Sequence, residues 1–118
     1  MKLRYEKCVR VMTDIMGYCH LVGCKDFSID FEMRSTESEV IVRAKIDDIP
    51  DSVIEKLDHV LNIPRQREVE QYYWNISGEE EIDDELPLAG MMTDRASVTR
   101  EDGVLLIKVL RYEDSGEE

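Results

Sequence analysis

The 118 residues hold only three prolines, six glycines, three cysteines and one tryptophan. So little proline and glycine excludes a collagen-like, low-complexity or linker-dominated chain. Three cysteines are an odd number, and no paired spacing relates them. That excludes a disulfide framework and fits the reduced thiols of a cytoplasmic protein. No apolar run approaches the roughly 18 residues that a membrane span needs, and the N-terminal stretch MKLRYEKCVR lacks the apolar core of a signal peptide. Cationic side chains are scarce as well. Lys+Arg number 15 against Asp+Glu 27, for a net charge of −12, which repels polyphosphate and argues against a nucleic-acid-binding role.

What is present suffices for one core. The apolar set makes up 42% of the chain, and its length fits a single domain, placed at 1–112 with an acidic tail at 113–118. Tyr5, Cys8, Met12, Ile15, Cys19 and Val22 recur at alternating intervals of three and four. They predict a helix over 3–22 with a continuous apolar stripe, stopped at Gly23. The period then drops to two. Phe27, Ile29, Phe31 and Met33 predict a strand over 27–34 with one dry face, and Val40, Val42, Ala44 and Ile46 predict its hairpin partner over 39–46.

Asp47 or Asp48 is placed to cap a second helix, with Pro50 near its first turn, and Val53, Ile54, Leu57, Val60 and Leu61 form that helix's apolar face. Asn62 and Pro64 end it. A short helix is expected over 65–74, an exposed loop over 78–85, and a short helix or turn over 86–92. A closing hairpin follows, strand 96–101 and strand 104–110 around Asp102-Gly103. Ile15, Cys19, Phe31, Val42, Leu57 and Ile107 are the expected core. This order predicts an α+β fold, a two-layer sandwich of a four-stranded sheet with helices on one face.

Three stretches resemble the histidine-kinase-like ATPase family, anti-sigma-factor kinases included. IVRAKIDDIPDSVIEKL (41–57) resembles its strand, adenine-binding turn and following helix. LAGMMTDRASVTREDGVLLIKVL (88–110) is similar to its closing helix and hairpin. MGYCH (16–20) stands where the family carries its asparagine-containing run on the first long helix. The resemblance implies that fold. It also implies that Met16 occupies the magnesium-binding asparagine position and Met12 that of the general base, beside Gly17 and His20. Thioether side chains neither hold magnesium, which takes hard oxygen ligands, nor accept a proton from water. At the adenine turn Asp47 or Asp48 survives, but both glycines are replaced, leaving Ile49 and Asp51 to crowd a base. Of the glycine-rich lid only Gly90 stands near its expected place.

The expected function is therefore a non-catalytic regulatory or protein-interaction domain with a degenerate nucleotide site and no cofactor. The alternative is a divergent ATP-binding protein or anti-sigma-type serine kinase using ATP and magnesium through Asp47 and Asp48. A further alternative is an unrelated structural α+β domain. Cys19, His20 and Cys24 could be gathered as metal ligands, but the cysteines lie on or beside the apolar stripe, so core packing is expected and no metal site. The expected partner surface combines Trp74 with Glu79, Glu80, Glu81 and Ile82. Six carboxylates crowd residues 78–85, a field that steers a basic protein surface, with the aromatic as the desolvated anchor. A second copy of the chain is the other partner class.

Overall fold

The computed structural model describes residues 2–63, 65, 90 and 92–113. Six elements follow in the order α1 (Lys2–Leu21), β1 (Lys25–Met33), β2 (Glu37–Lys45), α2 (Asp51–Leu61), β3 (Arg95–Glu101) and β4 (Val104–Tyr112). The elements expected between 66 and 89, and the tail beyond Glu113, lie outside the described residues.

The four strands form one antiparallel sheet in the order β1-β2-β4-β3. Each hairpin supplies two neighbours, and the sheet joins them through β2 and β4. Val40 lies opposite Val109, Val42 opposite Ile107, and Ala44 opposite Leu105. These residues point toward the helices, where Val11, Ile15 and Cys19 of α1 and Leu57 and Leu61 of α2 meet them in a single core. α1 lies over β2 and α2 over β3. The architecture is α+β, with both helices on one face of the sheet. The opposite face sets half-buried Ile41, Leu106 and Leu110 among exposed Arg43 and Lys108.

Local chemistry fixes the turns. Gly23 takes φ +100°. Its amide bonds the His20 carbonyl at 3.1 Å while the Cys24 amide bonds the Cys19 carbonyl at 2.9 Å, a left-handed stop of the expected kind. Asp102 and Gly103 both adopt positive φ, 54° and 77°, the pair of values that a two-residue hairpin turn requires. Asp26 is also left-handed, at φ 55°, within an irregularity of the β1–β2 register.

Several expectations are corrected. The buried side of α1 is rotated from the predicted stripe: Tyr5 is 55% exposed, while Lys7, Val11 and Asp14 are buried. Asp14 accepts from Arg10 at 3.0 Å, which lets a carboxylate sit on the inner side. Of the predicted dry face of β1, Ile29 and Phe31 are only half-buried, and Phe27 and Met33 are exposed. The reason is position, because β1 is an edge strand and α1 lies over its neighbour. Neither Asp47 nor Asp48 caps α2. Pro50 is the N-cap, without a side-chain cap bond.

Candidate functional site

The loop 46–50, leaving β2 for α2, is where the sequence placed a nucleotide-reading aspartate. Its first residue is fixed by the Ile46 amide, which donates to the Gly103 carbonyl at 2.9 Å. Asp47 and Asp48 then face solvent. At Ile49 the chain turns inward and its side chain is 2% exposed, an apolar plug under the loop. Arg100 of β3 spans the same place, donating to the Ile49 carbonyl and to Asp51 Oδ1 at 2.9 Å. A buried isoleucine and an arginine thus fill the space beneath this loop.

On α1, Met12 packs partly buried against the core. Met16 is half-buried, while Gly17 and His20 are exposed. None of these four can act as a general base beside a magnesium ligand set except His20, which lies on the solvent side. Gly90 packs as a spacer. A Cβ there would clash with the Val60 carbonyl oxygen and stand 3.3 Å from Ile63 Cγ1, so glycine is what lets residue 90 lie against the end of α2.

Cys19 and Cys24 are both buried at the helix stop, where the Cys24 amide bonds the Cys19 carbonyl. Burial, reinforced by the neighbouring thiol, pushes Cys19 up to about 12. Burial also raises Cys24. Protonated thiols at neutral pH are poor nucleophiles and poor metal ligands. Among the described residues no three His, Cys, Asp or Glu side chains are gathered as a metal site.

The accessible chemistry lies instead along β1. Tyr5, Phe27 and Met33 are 55%, 37% and 44% exposed, and the Tyr5 and Phe31 rings stand 6.2 Å apart. On the other face of β1, Asp30, Glu32 and Glu39 surround Ile41 in a shallow depression of about 360 Å³. Arg43 reaches Asp30 at 2.8 Å, and Arg34 bonds Glu32 and, at 3.2 Å, Glu39.

The second edge of the sheet is engaged differently. Asn62 Nδ2 donates to the Ala96 carbonyl at 3.0 Å, and its Oδ1 accepts from the Ala96 amide at 3.1 Å. One side-chain amide thereby stands in for a neighbouring strand's peptide unit.

Of the site residues expected from sequence, Asp47 and Asp48 share one exposed loop, whereas Trp74, Glu79, Glu80, Glu81 and Ile82 lie outside the described residues. The exposed strip on β1 and Tyr5 was missed because alternation marks the two faces of a strand but not its place in a sheet. No family model matches the chain, and no curated protein matches it.

Proposed function

We propose that this chain is a non-catalytic, cytoplasmic protein-interaction domain of the histidine-kinase-like ATPase type, its nucleotide chemistry lost. The observation that carries the reading is the strip of exposed Tyr5, Phe27 and Met33 beside an edge strand. Apolar and aromatic groups left in solvent along an edge strand and the helix residue beside it are what a partner desolvates. The order helix, hairpin, helix, hairpin supports the fold type. Met12 and Met16, together with the Ile49 plug under Arg100, support the absence of catalysis. Trp74 with the acidic run Glu79–Glu81 and Ile82 is a second contact region in this reading, aimed at a basic partner surface.

The alternative, an ATP-binding protein, rests on the solvent-facing Asp47 and Asp48. Calorimetry and thermal shift with ATP, ADP and magnesium separate the two. A ligand at 100 times its dissociation constant stabilises the folded state by about 2.7 kcal/mol, a shift that is readily detected. The expected outcome is no shift and no hydrolysis. Saturable magnesium-dependent binding that disappears in Asp47→Ala or Asp48→Ala would establish the ATP-binding reading instead.

A further inference from the structure

We propose that the outer edge of β1 takes an extended peptide segment with alternating apolar and basic side chains, adding it to the sheet as a fifth strand. The inference rests on the protein-interaction reading and names the kind of partner.

The two edges of the sheet are not equivalent. At β3 an incoming strand would have to displace Asn62 from Ala96. β1 contains no proline, and seven of its nine residues are exposed and none buried. A long, accessible edge of this sort is a template for main-chain pairing.

Its two faces specify the side chains of the segment. Toward the helices, Phe27, Ile29, Phe31 and Met33 lie in line, with Tyr5 of α1 beside Phe31. Apolar side chains of an added strand would complete that half-covered row. On the other face the carboxylate-bearing side chains of Asp26, Asp30 and Glu32 are 73%, 65% and 70% exposed. Their present partners, Lys45, Arg43 and Arg34, form surface pairs. Such pairs are weak and leave carboxylate oxygens open to further donors. Lysine or arginine at alternate positions of the segment would lie directly across from them.

The same charges argue against a second copy of β1 as the occupant. Residues directly opposite in an antiparallel pair share a face, so self-pairing must be centred on a residue. Centred on Asp30 it opposes Asp30 to itself, and centred on Phe31 it opposes Asp30 to Glu32. Centred on Glu32 it opposes Glu32 to itself. Each of these registers sets like charges across from each other, which is destabilising.

The test uses the full chain and a fluorescein-labelled peptide of about ten residues alternating valine and lysine, a strand's length. Three controls accompany it: the same composition with the lysines in one block, a valine–glutamate alternation, and the lysine peptide interrupted by prolines. Anisotropy should show the valine–lysine peptide binding roughly tenfold or more tightly than each control, and weakening as salt rises. In the double variant Asp30→Lys, Glu32→Lys, both positions being exposed, the preference should pass to the valine–glutamate peptide.

Equal binding of the alternating and block peptides would reduce the effect to bulk charge and overturn the proposal. An unchanged preference in the double variant would do the same, by placing the site elsewhere. Light scattering that reveals a dimer unable to bind peptide would assign the edge to a second copy. Nucleotide calorimetry bears on the broader reading separately. If ATP binds and the peptide still adds to β1, that reading falls and the strand site stands. If neither binds, the strand site falls alone.

Discussion

Arg111 and Glu113 form a deeply buried ion pair at the end of β4, with side chains 3% and 4% exposed. The guanidinium holds both carboxylate oxygens, at 3.0 and 3.2 Å, and donates to the Met92 carbonyl at 2.7 Å. Arg4 of α1 stands 3.7 Å from the same carboxylate and donates to Ser38 Oγ at 3.0 Å. Burial by itself pushes the Glu113 carboxyl up. The hydrogen bond and charge of Arg111, with help from Ser38 and Arg4, outweigh it and hold the group below its ordinary value. A lowered folded value means that this stability is fully present above the unfolded value, about 4.3. It is lost as pH falls through the folded one. Urea midpoints of Glu113→Gln should therefore fall less than those of the parent between pH of about 5 and 3. Arg111→Met leaves a buried carboxylate without its main partner and should cost about 3–5 kcal/mol at neutral pH. Nothing in the sequence announced the pair, because Arg111 followed an apolar run and Glu113 opened what reads as an acidic tail. Side chains two apart on one strand share a face, but the depth at which that face ends depends on α1, more than a hundred residues away in the chain.

At the scale of elements, period and turn chemistry carried most of the information. The stop at Gly23, the Asp102-Gly103 turn and the apolar positions of α2 are local properties, and the structure has them where the sequence puts them. α1 shows where that reading stops. A stripe as wide as Tyr5-to-Val22 does not define which of its flanks is innermost. Packing over β2 chose the flank with Val11 and buried Lys7 and Asp14 with it. Two truncations measure the difference between centre and edge. Ile15→Ala, at a position with no exposure, should cost about 2–5 kcal/mol in urea unfolding. Phe31 is half-covered on an edge strand, so Phe31→Ala should cost less than Ile15→Ala by about 1 kcal/mol or more. Equal losses would mean that β1 is covered more deeply than its exposures indicate.

At the scale of the whole molecule, two hairpins, two helices and their union in one four-stranded sheet were legible, but the order in which the strands meet was not. Hairpin signals define β1 with β2 and β3 with β4, while the β2–β4 seam rests on residues some 70 positions apart. The candidate site suffered for the same reason, since its apolar strip exists only because β1 ends up outermost. The seam makes one core of both halves, and the thiols report on it. Cys8, Cys19 and Cys24 are all buried. They should label slowly with a thiol reagent in buffer and become reactive together at the urea midpoint seen by circular dichroism. Early reaction of Cys24 alone would reveal an opening of the α1–β1 corner that leaves the rest folded. Finally, the amide of Asn62 at the far edge has a consequence for assembly. Unlimited head-to-tail growth of sheets requires two free ends on every unit, and here a side chain of the same molecule holds one peptide unit of the second end. A strand that joins β1 leaves at the far edge an Ala96 peptide unit already taken, so growth past β3 through that residue must first break the Asn62 contact.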